Sequence, residues 1–570
     1  MRSRKLLALF FCLITFPAIA GYMTLLGAGV GNISPTVSWV AGTDPFPDTS
    51  LTYSGPSLST MFDSTGKLTY KPNNLLTYAA DLTNAAWTKS SATITAGVSD
   101  PVGGTTAFTY TATANGSIAQ SSAGISLSGQ RKFINSTWLR RRTGTGLVRL
   151  YNANATPTSV TLTSSWQQFF TVNAGNANNN AYFQIDVTAP GDAIDVYAPV
   201  MAAVTYETTP RTADQVITTA SAYYGPRIDY DPNTLAVKGL LIEEARTNIV
   251  LQNRDLTNAA WTKGATATVA KDQIGIDGVT NSASSFTGGA VSATNTVLQS
   301  ITLASSTRAQ SAWVKRLVGS GVVNMTTDGG ATWNAITLTG SYTLVQFSQA
   351  AVTNPSVGFQ ITTLNDKIAV DVVQNEPETF ATSSIITAAA SVTRAADVMQ
   401  FTGPALTALQ GSAGSAIVEL TSEGIVSAIN QRIIAGGQNL LYNQGGTNVA
   451  TTSNGTNTLV TANALTWSNY NRSAVTWSAS GRSIVSNGST VATDAFLINN
   501  SGTSYLGSLT GSSAFMGGWY KSFAIYNQRL PDATLQAKSV VGASYAANDN
   551  GIRYAFADND NLPIHWRVAL

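Results

Sequence analysis

The sequence predicts an all-β protein built from short antiparallel strands. Short runs rich in Thr, Val, Tyr and Phe show partial two-residue alternation, and clusters of Gly, Asn, Ser or Pro separate them. No long window carries an apolar stripe with the 3.6-residue period of a helix, apart from a short stretch at 530–540. The clearest strand predictions are TAFTYTATA (106–114), LVRLYNA (147–153), WQQFFTV (166–172) and AIDVYAPV (193–200).

The phrase DLTNAAWTK occurs twice, at 81–89 and at 255–263. The match extends downstream, where STWLRRRTGTG (136–146) aligns with SAWVKRLVGSG (311–321) and so pairs Trp138 with Trp313. TPRTAD, ending at Asp214, likewise aligns with VTRAAD, ending at Asp397. An internal duplication into two homologous domains explains these matches, and each copy has the usual size of a domain.

A third region, whose sequence does not match that of the repeats, follows them. Its predicted strands are SAIVEL (415–420), QRIIAGG (431–437), NLLYNQ (439–444), SAVTWSASG (473–481) and SIVSNGSTVAT (483–493). Asn487-Gly488 has the residues that tolerate the positive φ angles of a type I′ turn.

The N-terminus resembles a secretory signal. It has a basic start, an apolar stretch from Leu6 to Phe16 that is too short to span a membrane, and Ala18-Ile19-Ala20 as a cleavage site. The alternative is that translation begins at Met23, which gives nearly the same mature chain. The single cysteine, Cys12, lies within the apolar stretch, so the mature chain is predicted to contain no disulfide and no Cys-ligated metal.

The predicted organisation has seven parts. These are a signal peptide (1–20), an N-terminal attachment segment (21–72), repeat 1 (73–214), a linker with turn motifs (215–247), repeat 2 (248–397), a third domain (398–545) and a C-terminal tail (546–570).

The charge of the chain is low and balanced. Charged residues make up 11% of it, against about 25% in an average protein, and 32 basic and 30 acidic side chains give a net charge of +2. No basic face that would bind nucleic acid follows from this balance. The basic run LRRRTG (139–144) is interpreted as a solvated strand end.

The residues that catalysis usually requires are scarce. The only histidine is His565, five residues from the C-terminus, so a Ser-His-Asp triad has no plausible base. Glu419 and Glu423 in VELTSEG lack the intervening Asp that a concanavalin-like hydrolase is expected to show. The sequence therefore predicts that the protein is not an enzyme and has no cofactor. The oxygen-rich pieces NDNG (548–551) and DNDN (558–561) suit Ca²⁺, but a solvated tail is the favoured interpretation.

Two groups of phrases carry a resemblance to known families. GPRIDYDP (225–232), GLLIEEARTN (239–248), the repeated NAAWTK and the closing VTRAAD resemble the tandem carbohydrate-binding-module-like jelly rolls of tailed-phage virion proteins. MGGWYKSFAIYNQRLPDATLQ (516–536) is similar to the closing strand and helix of laminin-G-like, concanavalin-A-like sandwiches. Together the resemblances imply three consecutive antiparallel β-sandwiches, a place among other virion proteins, and the structural calcium that such relatives often hold.

The aromatic residues divide into structural and ligand-binding candidates. Trp87 and Trp261 lie at matching positions beside small apolar residues, so a core position is favoured over ligand contact, and the matched Trp138 and Trp313 are also taken as structural. Trp467 and Tyr470 in LTWSNYNR lie in a polar, turn-like context and are the candidate ligand-binding residues.

Two functional hypotheses follow. The first is a non-enzymatic bacteriophage virion protein, part of a tail or other appendage, that contacts host-surface polysaccharide. The second is a secreted bacterial lectin-like adhesive protein, which the signal sequence favours. The sequence leaves open the glycan, the position in the virion and whether the chain forms a homo-oligomer.

Overall fold

A computed structural model describes residues 34–47, 49–126, 132–152, 156–174, 180–290, 294–422, 424, 429–436, 439–461, 463–498 and 500–545. The described residues form antiparallel sheets almost throughout, as predicted, with short helices at a few positions. The predicted signal peptide and the predicted C-terminal tail lie outside the described residues.

The first part of the chain comprises an N-terminal arm and repeat 1. The arm contains β1 (Val37–Val40), β2 (Leu51–Ser54), β3 (Thr60–Phe62) and β4 (Leu68–Tyr70). Repeat 1 contains β5 (Asn73–Asn74), β6 (Thr88–Val98), β7 (Ala107–Ser126), β8 (Lys132–Thr143), β9 (Val148–Asn152), β10 (Thr158–Val160), β11 (Gln167–Ala174), β12 (Asn180–Val187), β13 (Ala193–Val204) and a 3₁₀ turn (Thr212–Asp214). Its sheet runs in the order β10-β9-β12-β7-β13-β8-β11, with β6 also paired to the long strand β7.

Repeat 2 is a sandwich of two five-stranded sheets. The chain reaches it through β14 (Tyr223–Tyr224), β15 (Ile228–Tyr230) and β16 (Val237–Ile242). Its strands are β17 (Arg246–Asn248), β18 (Thr262–Lys263), β19 (Ala267–Gln273), β20 (Ala283–Gly288), β21 (Thr296–Ser300), β22 (Ser306–Val318), β23 (Val323–Thr326), β24 (Asn334–Ile336), β25 (Thr343–Val352), β26 (Ser356–Ile361), β27 (Lys367–Pro377) and β28 (Val392–Arg394). The sheets run β19-β20-β27-β22-β25 and β18-β21-β26-β23-β24.

The third sandwich takes most of its strands from the last part of the described chain. These elements are β29 (Val398–Phe401), α1 (Gly403–Leu409), β30 (Gly414–Ser422), β31 (Gln431–Ala435), β32 (Asn439–Asn443), β33 (Ala450–Ser453), β34 (Thr458–Val460), β35 (Asn471–Ser478), β36 (Gly481–Ser486), β37 (Ala492–Asp494), β38 (Ser504–Leu506), β39 (Gly518–Tyr526) and α2 (Asp532–Lys538). α2 falls on the single predicted helical stretch. The predicted turn at Asn487-Gly488 is also present, with φ angles of 52° and 70°.

Strands from distant parts of the chain complete the third sandwich. β1 and β16 both pair with β39, β1 along residues 522–525 and β16 along residues 518–520. β2 pairs with β29 in the opposite sheet. The ranges predicted as an attachment segment (21–72) and a linker (215–247) therefore contribute strands to this sandwich. A three- or four-residue strand has no periodicity that could reveal a partner several hundred residues away.

The duplicated phrase has the same structure in both repeats. Trp87 and Trp261 are 2% and 1% exposed, and their indole nitrogens donate to the carbonyls of Tyr78 and Gln252 at 2.9 and 3.2 Å. Both acceptor residues adopt positive φ, at 51° and 47°. The lysine two residues after each tryptophan donates to backbone carbonyls of the phrase. The sequence DLTNAAWTK thus recurs because it forms the same local structure in both repeats. This structure is a buried tryptophan next to a turn whose backbone carbonyls accept hydrogen bonds from the lysine.

A second pair of matching contacts closes a loop in each repeat. Arg141 pairs with Asp192 at 3.2 Å in repeat 1, and Arg316 pairs with Asp366 at 3.1 Å in repeat 2. The glycine three residues after each arginine has a φ of +80° and +78°, respectively, a conformation that side chains disfavour. This agreement in residue type, geometry and spacing supports the interpretation of the chain as an internal duplication.

Each repeat is preceded by a hairpin that packs against a later part of the chain. The β3–β4 hairpin precedes repeat 1, yet Leu68 donates its backbone N–H to the carbonyl of Ile276 in repeat 2 at 3.0 Å. Phe62 in the same hairpin packs edge-on against Trp313 of repeat 2, with ring centroids 5.1 Å apart. The β15–β16 hairpin precedes repeat 2 and joins the third sandwich through β39. The hairpins therefore tie each repeat to the next module.

A buried ion network lies where these segments meet. The Arg227 guanidinium is fully buried and contacts the carboxylates of Asp397 and Glu243, the latter at 2.5 Å. Arg394 also contacts Glu243, at 2.7 Å, and Ser383 donates its hydroxyl to the same carboxylate at 2.6 Å. Buried charges are tolerated only when paired and hydrogen-bonded, so these segments must assemble together.

A buried lysine extends the network toward the N-terminal arm. Lys71 is 0% exposed and donates to the Tyr53 hydroxyl at 2.7 Å and to the Gly55 carbonyl at 2.6 Å. Tyr53 donates in turn to Asp397 at 2.6 Å. Burial, opposed by the attraction of Asp397 and aided by the repulsion of Arg227, lowers the pKa of Lys71 to about 7.

This lowered pKa predicts that the protein becomes more stable as pH rises above neutrality. Between about pH 7 and 10.5 the unfolded chain binds a proton at Lys71 and the folded chain does not. The free energy of unfolding should therefore rise with pH, by up to about 1.4 kcal/mol per unit from this group. Urea unfolding of the wild type and of Lys71→Met between pH 7 and 9.5 measures the slope. An equal slope in Lys71→Met would show that another group is responsible.

Candidate functional site: the aromatic face of repeat 1

One side of the β13-β8-β11 sheet carries aromatic side chains on the surface of repeat 1. Along β8, alternate residues such as Phe133 and Leu139 point into the core and are fully buried. Trp138 has the opposite orientation, as strand alternation requires. It lies directly opposite Tyr197 on β13 and Gln168 on β11.

We call this surface the aromatic face, defined by Trp138, Trp166, Gln168, Phe170 and Tyr197. Phe170 is 39% exposed, Gln168 is exposed, and the other three are partly exposed. Trp166 and Tyr197 meet edge to face, with ring centroids 6.4 Å apart. The Trp and Tyr rings thus lie on one side of the sheet, where solvent reaches them.

Amides surround the patch. Gln168 donates its side-chain amide to the Gln215 oxygen at 2.9 Å, and Gln215 donates to the Ser136 hydroxyl at 3.3 Å. This chain holds the Gln168 side chain in a defined position, so that part of its hydrogen-bonding capacity is directed at solvent.

The Asp195 carboxylate holds two arginine side chains, one of them next to Trp166, at the other end of the aromatic face. Asp195 is 1% exposed and accepts from Arg140 at 2.7 Å and Arg142 at 2.8 Å, and the Arg140 guanidinium lies 4.8 Å from the centroid of the Trp166 ring. Burial alone would raise the pKa of Asp195, but hydrogen bonds from Arg142 and Arg140 outweigh it and lower the pKa. The carboxylate therefore stays ionised and fixes the guanidinium against the indole.

This arrangement is suited to recognition. Flat aromatic rings can stack on the apolar face of a polar ring, while amides and guanidinium groups bond to its edge. Rigid aromatic side chains also lose little conformational entropy when they bind a ligand.

The equivalent face of repeat 2 is covered. Trp313, which matches Trp138, is only 8% exposed because Phe62 of the β3–β4 hairpin packs against it. Its indole nitrogen donates to the Ser384 hydroxyl at 3.1 Å. The duplication has therefore produced one open and one closed version of the same surface.

The two predicted ligand-binding residues, Trp467 and Tyr470, lie in different environments. Trp467 is 6% exposed and belongs to the hydrophobic core of the third sandwich, so no ring face is presented to a ligand. Tyr470 is partly exposed, but its hydroxyl donates to the Lys238 carbonyl and the Lys521 ammonium lies 4.8 Å from its ring centroid. Burial, then Glu419 and Asp229, raises the Tyr470 pKa. A polar sequence context therefore did not indicate exposure of Trp467.

The four tryptophans predicted to be structural also divide. Trp87, Trp261 and Trp313 are buried, whereas Trp138 lies at the surface, in the aromatic face. The two-residue alternation of side chains along a strand is the feature of the sequence that indicates the surface position of Trp138. In STWLRRR the residues Ser136, Trp138 and Arg140 share one side of a strand, and in SWQQFF the residues 166, 168 and 170 do the same. An aromatic residue on the polar side of a strand is a candidate for surface contact.

The remaining candidate residues are those considered for catalysis and for calcium binding. Glu419 is 3% exposed, pairs with Arg472 at 3.3 Å and accepts the backbone N–H of Gly542. Glu423 and His565 lie outside the described residues, as do both oxygen-rich calcium candidates. Within the described part of the chain, no group of three or more His, Cys, Asp or Glu is placed to hold a metal ion. No helix among these residues is long and apolar enough to cross a membrane.

No protein-family model and no curated protein match the chain. Among solved structures, the tandem CBM22-1–CBM22-2 domain of Paenibacillus barcinonensis Xyn10C is similar at 13% identity, covering 54% of this chain and 98% of that one. The TM-score of this match is 0.21.

The matched tryptophans allow a paired prediction about stability. Trp313→Ala should destabilise the protein by about 3 to 5 kcal/mol, because it removes a buried ring beneath the hairpin. Trp138→Ala should cost about 1 kcal/mol or less, since its ring is partly in solvent already. Urea unfolding of both variants tests this difference. Equal losses would show that Trp138 is a core residue and that the aromatic face is not a free surface.

Proposed function

We propose that the chain is a non-enzymatic bacteriophage virion protein, part of a tail or other appendage, that binds host-surface glycans through the aromatic face of repeat 1. The observation that carries the binding proposal is the juxtaposition of Trp138, Tyr197 and Gln168 on one exposed sheet face. Aromatic rings and an oriented amide are the groups that suit the two surfaces of a sugar, its apolar C–H face and its hydroxyl edge.

The scaffold supports a structural role. β1, β2 and β16 tie distant segments into the third sandwich, and the Arg227 network fastens their junction. Such interlocking suits a component that must hold its shape outside the cell. The phage assignment itself rests on the resemblance of GPRIDYDP, GLLIEEARTN and VTRAAD to tailed-phage virion proteins.

The absence of catalysis is part of the proposal. Glu419, one of the two carboxylates considered for hydrolysis, is buried and paired with Arg472. The aromatic face offers no nucleophile next to a base, because its polar groups are amides, a hydroxyl and a paired carboxylate.

A secreted bacterial adhesive protein is the second candidate. The basic start, apolar stretch and Ala18-Ile19-Ala20 of the N-terminus favour it. Both candidates use the same glycan-binding surface, so the location of the protein separates them. Antibody labelling of phage particles in the electron microscope supports the first candidate, whereas label found only on bacterial cells or in the medium supports the second.

The binding proposal predicts that Trp138→Ala weakens glycan binding at least tenfold. Loss of a stacking ring at the centre of an interface commonly costs about 2 kcal/mol or more, which exceeds a factor of ten. The full chain would be tested on an array of bacterial surface polysaccharides, together with Gln168→Ala.

Phe496→Ala is the matched control, because Phe496 is an aromatic residue of the third sandwich that is 46% exposed. Its binding should equal that of the wild type. Glycan binding that survives both Trp138→Ala and Gln168→Ala would rule out the aromatic face as the site.

A further inference from the structure

A second recessed surface lies where both hairpins, repeat 2 and the third sandwich meet. It is a cleft of about 380 Å³. Its lining includes Trp519, Lys238, Trp313, Gln346 and the exposed Asn233. Clefts of this size at domain boundaries, lined by aromatic side chains and a few polar groups, are the usual form of small-ligand sites.

The Trp519 ring is held in place before any ligand arrives. Its indole nitrogen donates to the Asp229 carboxylate at 2.7 Å, and the Lys238 ammonium lies 3.0 Å from its ring centroid. The other oxygen of Asp229 accepts the backbone N–H of Phe62, also at 2.7 Å. A ring fixed in this way loses little entropy on binding, which favours affinity.

Two exposed amides line the same cleft. Gln346 and Asn233 are exposed, and neither side-chain amide has a hydrogen-bond partner among the described residues. Together they offer amide donors and acceptors to a ligand seated against Trp519.

The cleft carries little net charge. The Lys238 ammonium lies 4.0 Å from Asp229 and near Asp231, which also lines the cleft. Asp231 accepts the backbone N–H groups of Asn233 at 2.9 Å and Thr234 at 2.8 Å, so its carboxylate is already partly satisfied. The site therefore favours an uncharged ligand that presents hydroxyl groups.

The cleft also continues in one direction. A neighbouring groove of about 370 Å³ shares Phe62, Pro232, Asn233 and Trp313 with it and extends to Tyr342. Its lining also includes Lys67 and Lys315, whose ammonium groups lie over the rings of Tyr206 and Tyr342. Two cavities joined along one wall suit an elongated ligand of several rings rather than a single compact one.

We infer that this cleft binds a neutral oligosaccharide, with Trp519 as the stacking ring and Gln346 and Asn233 as the groups that bond to hydroxyls. The inference rests on the proposed function for its ligand class, but it uses different residues. Because the walls come from both hairpins, repeat 2 and the third sandwich, the site exists only when the junction is assembled.

Binding of the full chain to four neutral hexasaccharides tests the inference: maltohexaose, cellohexaose, xylohexaose and chitohexaose. We expect calorimetry to detect binding of at least one of them, with an affinity that changes little between low and high salt, since no charge is recognised. Gln346→Ala should weaken binding at least tenfold, and Trp519→Ala should abolish it.

Two controls keep these outcomes separate. Gln528→Ala removes an exposed amide elsewhere on the third sandwich and should bind as the wild type does. Gln346 lies on the surface of a strand, so its replacement reports on the cleft even where Trp519→Ala fails to fold.

The inference is overturned in two ways. Binding that is lost in Trp138→Ala and kept in Gln346→Ala and Asn233→Ala would assign the hexasaccharide to the aromatic face, and the proposed function would stand without the cleft. If none of the four hexasaccharides binds, the inference about the cleft is wrong and the proposed function still stands, because the polysaccharide array tests the aromatic face independently.

Discussion

The assembly of this chain depends on the buried guanidinium of Arg227. It lies between Glu243 and Asp397, and through them it contacts Arg394, Ser383 and, by way of Tyr53, the N-terminal arm. Removing one partner of such a group leaves an uncompensated charge away from water, which is far more costly than losing a surface ion pair. The arm, the hairpin before repeat 2 and the end of repeat 2 must therefore come together as one event. Lys71 adds a third basic side chain to the same region, and its lowered pKa shows that burial, together with the repulsion of nearby arginines, acts against its charge.

That junction explains why the two repeats have diverged. They keep the same turn at DLTNAAWTK and the same Arg–Asp loop closure, and both are contacts made within a single repeat. Their outer faces are under different constraints. Repeat 2 receives the β3–β4 hairpin, so Trp313 has become part of a core that both repeats share. No corresponding hairpin from the described chain covers Trp138, and the face around it has partly exposed rings and the exposed amide of Gln168.

The sequence predicted local structure better than long-range structure. The repeated phrase, the strands at 106–114, 147–153, 166–172 and 193–200, the turn at Asn487-Gly488 and the helix near 530–540 all depend on neighbouring residues, and all are present. The partners of β1 and β2 depend on residues more than 300 positions away, and nothing in four letters specifies them. For the candidate site, too, the sequence was informative only where local structure decides the outcome. Trp467 was misjudged because its polar neighbours say nothing about which way the ring points, whereas the two-residue alternation in STWLRRR and SWQQFF does.

The two recognition surfaces differ in what holds them. The aromatic face belongs to one sheet of repeat 1, so strand alternation and direct cross-strand pairing fix its geometry. The cleft around Trp519 has walls from four segments, so its geometry depends on the docking of both hairpins. A ligand that binds such a composite site binds only the assembled junction, and by mass action it stabilises that assembly. Asp229 makes this coupling direct, because one of its oxygens orients Trp519 while the other holds the backbone of Phe62, whose ring in turn covers Trp313. The residues that join the modules are thus the same residues that position the ring proposed to meet the ligand.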